Sequence, residues 1–283
     1  MSLLSRVMGE GNASRAPWFL ELFVASNLGF LAIDVYTAHS VNAFAHAQEW
    51  LPIIFSAAVP FLLIPAWRRN GGQNGMAGKW LGFLLGGTSI LIGIAGMVYH
   101  LADTFFVQQT LKNLVYTAPF AAPLAYTGLG FLLWLNRMES AENDRWGSWV
   151  LLMALGGFIG NFALALADHA QNGFFARSEW IAVWAAALGV GFLLVATFYK
   201  KPGKIFFITC SLVMLFEILI GVAGFYFHFS ANLHAAGGSL RDRFIFGAPV
   251  FAPLLFADLA ILALLGLAQR YLQGESEGQE AQS

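Results

Sequence analysis

Residues 39–50 read HSVNAFAHAQEW, and residues 169–180 read HAQNGFFARSEW. Each stretch closes one long apolar run and opens the next. Both hold one frame: His39-x-x-Asn42-x-Phe44-x4-Glu49-Trp50 in the first, and His169-x-x-Asn172-x-Phe174-x4-Glu179-Trp180 in the second. Two further patterns recur in the same order. Gly93-x-Ala95-Gly96-x3-His100 returns as Gly221-x-Ala223-Gly224-x3-His228, and Ala118-Pro119-x-x-Ala122-Pro123 returns as Ala248-Pro249-x-x-Ala252-Pro253. Three matches in register, displaced by 128–130 residues, predict an internal duplication.

Composition fixes the solvent. Of 283 residues, 58% are hydrophobic and 11% charged, and mean hydropathy is +0.65. Soluble domains carry roughly 25% charged residues, so this chain lacks the polar surface to face water on all sides. The formal net charge of −1 speaks against nucleic acid as a partner. The lone Cys210 excludes an internal disulfide framework. The N-terminus is polar and has no apolar core of a signal peptide, so the first span is expected to serve as its own insertion signal.

A spanning helix needs about 20 apolar residues. Eight runs qualify: Trp18–Ala38, Trp50–Trp67, Trp80–Tyr99, Tyr116–Leu135, Val150–Ala167, Trp180–Tyr199, Ile205–Phe227 and Phe244–Ala268. The expected fold is therefore an all-α integral membrane protein of eight transmembrane helices, arranged as two tandem, parallel four-helix repeats. The repeats span residues 17–138 and 149–270, with a cytoplasmic linker at 139–148 and polar cytoplasmic tails at 1–16 and 271–283. The C-terminal tail from Gln273 reads as disordered. An even number of spans gives both repeats the same orientation, related by an axis along the membrane normal.

Charge sets that orientation. With the N-terminus inside, the inner segments hold Arg6, Arg15, Arg68, Arg69, Lys79, Arg137, Arg145, Lys200, Lys201, Lys204 and Arg270, eleven in all. The outer ones hold four: Lys112, Arg177, Arg241 and Arg243. Cytoplasmic loops are the basic ones, so both termini are expected in the cytoplasm of a bacterial-type inner membrane. All six histidines then fall on the outer side.

Four of those histidines come as duplicated pairs: His39 with His169, and His100 with His228. A twofold axis could gather them at one centre, flanked by Glu49 and Glu179. Four imidazoles and two carboxylates suit a dinuclear site of iron, copper or zinc. The alternative is haem b: Gly93, Gly96, Gly221 and Gly224 lie on the faces of His100 and His228 and could leave a flat slot for a porphyrin. Asn42, Asn172, Asp103 and Asp168 are the neighbours able to orient the imidazoles. Glu217 and Asp258 lie inside apolar runs, where acids are costly and mark function, and form a candidate proton path. The resulting expectation is a metal- or haem-dependent membrane redox protein, one subunit of an electron-transfer complex or a donor to an extracytoplasmic redox partner. Two other readings stand beside it: an ion or proton transporter or channel, and a membrane anchor without chemistry.

Overall fold

The structure, a computed structural model, describes residues 15–68, 75–199 and 202–280. The expected tail at 1–14, the basic residues Arg6, Arg69, Lys200 and Lys201, and residues 281–283 lie outside the described residues. The described residues are predominantly helical and no strand occurs among them, which decides for helices over a barrel as the way backbone polar groups are satisfied in lipid.

The order is α1 (Ala16–His39), two short 3-10 turns (Ser40–Asn42 and Ala47–Glu49), α2 (Trp50–Arg68), α3 (Met76–Asp103), α4 (Leu111–Tyr116) and α5 (Leu124–Met138). Then come α6 (Asp144–Gln171), α7 (Glu179–Phe198), α8 (Lys204–His234), α9 (Leu240–Phe246) and α10 (Leu254–Glu280). Among the described residues, seven helices are long and apolar enough to cross a membrane, namely α1, α2, α3, α6, α7, α8 and α10. The chain is a multi-pass membrane protein.

The fourth expected run, Tyr116–Leu135, is not one helix. The chain turns over residues 117–123, and α5 begins only at Leu124. Pro119 and Pro123 cause the break, because proline lacks the N–H that a helix needs and clashes with the preceding turn. At 15 residues α5 is about 22 Å long, shorter than a bilayer core of roughly 30 Å. The eighth run is cut in the same way by Pro249 and Pro253, so α10 starts at Leu254. At its other end α10 continues to Glu280, where a disordered tail was expected from Gln273. Likewise α6 begins at Asp144, inside the expected linker, with the Asn143 side chain accepting from the Arg145 N–H.

Small residues bring the helices together, as packing in lipid requires. A Cβ on Gly86 would lie 2.8 Å from the Gly130 carbonyl across the α3–α5 crossing, and one on Gly221 would lie 2.9 Å from the Ala257 nitrogen across α8–α10. Large apolar side chains point outward all round: Trp80, Leu91, Trp184 and Ile205 are each at least 69% exposed. Such a surface suits a bilayer and not water. The interior holds polar groups instead. The side chains of Glu21 and Arg137 are both 0% exposed and form a bidentate pair, with nitrogen–oxygen distances of 2.6 and 2.7 Å. Asn136 donates to Glu21, and the Arg137 Nε donates to the Gly78 carbonyl. Arg137, expected as a loop charge, is therefore a core residue.

Candidate histidine–carboxylate clusters

His39 ends α1. The chain then makes a 3-10 turn and passes Ala43 and Phe44, both with left-handed φ (56° and 57°). Non-glycine residues there cost about 1–3 kcal/mol each. Three contacts offset that cost. The Asn42 side chain accepts from the Phe44 N–H, the His39 carbonyl accepts from the same N–H, and the Phe44 ring stacks on Trp50 at 4.3 Å. The tight loop returns Glu49, buried at the head of α2, beneath His39. Glu49 Oε1 accepts from the Asn42 amide at 3.0 Å. Glu49 Oε2 lies 3.2 Å from His39 Nδ1. That contact is close but off the line of the N–H, so the oxygen is buried without a directed hydrogen bond.

His100 completes the cluster. Its ring centre lies 6.2 Å from that of His39, and its Nδ1 lies 2.8 Å from the Pro119 carbonyl. A carbonyl can only accept, so Nδ1 carries the proton and Nε2 keeps its lone pair. This carbonyl also accepts from the Ala122 N–H at 3.2 Å, and the proline pattern explains why a second lone pair is left for the imidazole. Residue 123, four positions on, is also proline and has no N–H to offer Pro119 in a helical bond.

The second half builds the same corner. Gly173 and Phe174 take φ of 72° and 52°, and Phe174 stacks on Trp180 at 4.0 Å. His169 Nδ1 lies 3.5 Å from Glu179 Oε2, again a buried oxygen with no directed bond. The His228 ring is 6.5 Å from that of His169, and its Nδ1 is 2.7 Å from the Pro249 carbonyl. The partner of Glu179 Oε1 differs: it is the Ala176 N–H at 3.4 Å.

The structure thus gathers His39, His100 and Glu49 in one place and His169, His228 and Glu179 in another. Among the described residues no hydrogen bond, ion pair or ring contact joins the two sets. The expectation of one four-histidine centre gives way to two half-local corners, because each imidazole is held by groups of its own half. Asn42, expected to orient an imidazole, instead donates to Glu49. Asn172 serves only its own turn, accepting from the Phe174 N–H. Asp103 and Asp168 bond no imidazole among the described residues; the Pro119 and Pro249 carbonyls take that place. His46 and His234 are exposed.

The expected porphyrin slot is already filled. A Cβ on Gly96 would sit 2.8 Å from the Pro123 Cβ, and one on Gly224 would sit 2.7 Å from the Pro253 Cβ. These glycines admit the prolines that precede α5 and α10. Beneath the second corner, on the same face of α8, Glu217 is fully buried and neither carboxylate oxygen has a hydrogen-bond partner. Asp258 accepts from the Asn27 amide at 2.8 Å.

Each corner is covered from the other half. α9 packs near the Ser40–Asn42 turn, and α4 packs on α6, with Gln171 donating to the Val115 carbonyl. The start of α9 is fixed by a reciprocal cap between Ser239 and Asp242. Hydrogen bonds from the Ser239 side chain and backbone hold the Asp242 carboxyl below its ordinary range.

Ligand geometry can be tested against these corners. Two ligands about 2.0–2.2 Å from one ion stand roughly 3–3.5 Å apart, the separation of Nδ1 and Oε2 in both corners. Among the described residues no group of three or more His, Cys, Asp or Glu side chains is drawn together closely enough to form a ready metal cage. Compared with known protein families, with characterised proteins and with solved structures, the chain gives no match.

Proposed function

We propose that this chain is an integral membrane redox protein that holds one non-haem metal ion in each half, with iron(II) favoured. The ligands are His39, His100 and Glu49 in the first half, and His169, His228 and Glu179 in the second. The observation that carries this reading is the pair of orphaned carboxylate oxygens. Each is buried, lacks a directed hydrogen bond and lies beside an imidazole nitrogen at ligand–ligand distance. A buried carboxyl oxygen that meets only an imidazole nitrogen, without a directed hydrogen bond, is poorly satisfied, and an ion between the two relieves that cost. His100 and His228 present Nε2 because their Nδ1 protons are engaged, the usual support of a metal-bound histidine. Binding draws these two rings inward. Two histidines and one carboxylate leave positions open for an exogenous ligand, the arrangement of non-haem iron. Haem is disfavoured because Pro123 and Pro253 occupy the space it would need.

The same proposal takes the two halves as tandem copies, with eight membrane-embedded helices, the corners on the extracytoplasmic side and both termini in the cytoplasm. The paired corners support it, and so do the contacts: α1 meets α10, as α5 meets α6.

Metal analysis of the full chain purified in mild detergent tests the reading. The expected result is about two equivalents of iron per chain, falling to about one in His100→Ala and in His228→Ala. A preparation below about 0.2 equivalents of any transition metal overturns it. A second reading, ion or proton transport, is favoured by the unpartnered Glu217. It requires flux in liposomes that Glu217→Gln abolishes.

A further inference from the structure

A groove of about 830 Å³ opens between α1, α8 and α10, away from both histidine corners. Its volume lies in the range of small-molecule sites, about 300–1,000 Å³. The walls are apolar, but the bound Asn27–Asp258 pair and the hydroxyls of Ser26 and Ser211 line it as well. Lys204 and Tyr271 line it at the end that the proposed orientation turns to the cytoplasm. Asn27 is eleven residues into α1, which places it about 16 Å along the helix axis, close to the middle of a bilayer core of roughly 30 Å.

That depth selects the occupant. A phospholipid head belongs at the interface, and an acyl chain gains nothing from a carboxyl and an amide. A ligand that fits must carry a neutral, hydrogen-bonding head on an apolar tail and lie at mid-membrane. Aromatic rings sharpen the choice. Phe23 lies one turn from Asn27, and Phe207 one turn from Ser211, in the same walls, so flat faces flank the polar pair. Asp258 Oδ1 is taken by Asn27, whose other amide proton goes to the Phe23 carbonyl. This leaves the Asn27 Oδ1 to accept from a quinol hydroxyl, and Asp258 Oδ2 to donate to a quinone carbonyl when the carboxyl is neutral or to accept from a quinol when it is ionised. The positions related by the duplication are Gly157 and Gly128, so the corresponding groove on the other side lacks this pair.

We infer that the groove binds a quinone or quinol, its ring held by Asp258 and Asn27 between the Phe23 and Phe207 rings and its tail lying along α8 and α10. The choice of a redox-active ring rests on the iron reading above, and the test separates the two. The full chain, purified and placed in lipid nanodiscs, is titrated with radiolabelled decylubiquinone, and iron is measured on the same samples. About one equivalent should bind. Asn27→Leu removes the polar pair. Ile208→Trp fills the groove from a residue that is 51% exposed and so leaves the core untouched. Each should weaken quinone binding by at least about tenfold, with iron content unchanged. Iron-loaded protein that binds no quinone, or variants that bind as the native chain does, overturns the groove proposal alone. Equal competition by a polyprenol, or a groove that yields only phospholipid on extraction, overturns it too. Quinone bound by a chain that takes up no iron leaves the groove standing and sinks the metal reading.

Discussion

Substituting Glu49 by glutamine separates a metal site from a structural contact, because the two predict opposite signs. In the metal-free chain Glu49 Oε1 accepts from Asn42, while Oε2 is buried beside His39 Nδ1 without a directed bond. An unsatisfied buried group costs about 1–3 kcal/mol, and more when charged. The substituted amide retains an oxygen for Asn42 and turns an N–H towards Nδ1. The imidazole answers by moving its proton to Nε2, so that Nδ1 accepts. Glu49→Gln should therefore stabilise the metal-free protein by about 1–3 kcal/mol, raising its Tm by about 2–4 °C for each kcal/mol. The same change removes the only anionic ligand of the first corner. Iron should fall from about two equivalents to about one, and Glu179→Gln should act likewise on the other corner, the two adding because the corners share no group. Differential scanning fluorimetry on chelator-treated protein, beside metal analysis of untreated protein, reads both effects. A variant that keeps its iron, or whose metal-free form melts several degrees lower, refutes the reasoning.

Three further outcomes are expected. Arg137→Leu or Glu21→Leu alone should destabilise by about 3–5 kcal/mol, because each strands a buried charge, while the double variant should recover most of the loss; chemical denaturation in detergent checks this, and a double variant as weak as the singles would contradict it. Pro123→Ala adds, beside the Ala122 N–H already bound there, a second backbone donor to the carbonyl holding His100, so it should lower iron at the first corner only, seen as a loss of about one equivalent in metal analysis. In a Cys210→Ser background, a cysteine at position 239 should label from outside intact cells and one at position 140 should not; the reverse pattern rejects the proposed orientation.

The membrane character and most helix positions were readable because they rest on composition and spacing. Runs such as Ile205–Phe227 lie within observed helices, since nothing in them interrupts the hydrogen-bond ladder. The fourth and eighth runs misled because hydropathy counts proline as one more residue, whereas its missing N–H ends a helix. The same omission hid the partner of the second imidazole: Pro-x-x-x-Pro removes the donor four residues on and leaves the first proline's carbonyl a lone pair for a histidine, a signal present in residues 119–123 and 249–253. The grouping of the histidines was not legible. A shared axis says which residues are equivalent, but whether equivalents meet depends on where loops return their side chains. In this chain the left-handed turn at Phe44 and Phe174 returns each glutamate to its own histidine. Glu21 and Arg137 were missed for a related reason: their pairing joins α1 to α5, and no local pattern reports it.

The two halves agree at their histidine ends and differ at their middles, and the difference carries an argument about division of labour. Ser89, in the first half, donates to the Tyr126 carbonyl, while Tyr126 shares a hydrogen bond with Ser56. Every member of that network has a partner. The positions displaced by 128 and 130 residues hold Glu217, Phe256 and Ala186, which removes the hydroxyls and leaves a carboxyl with nothing to bond. If the two halves are copies, drift between them would exchange one satisfied arrangement for another. An orphaned acid in the second half, together with the Asn27–Asp258 pair against Gly157 and Gly128, places the unsatisfied polar groups of the membrane interior on one side of the molecule. If both corners hold iron, only the second has an acid in line beneath it on its own helix face. Proton movement coupled to the metal would then belong to the second corner, and Glu217→Gln should alter the pH dependence of that iron's redox potential while leaving the first iron's unchanged.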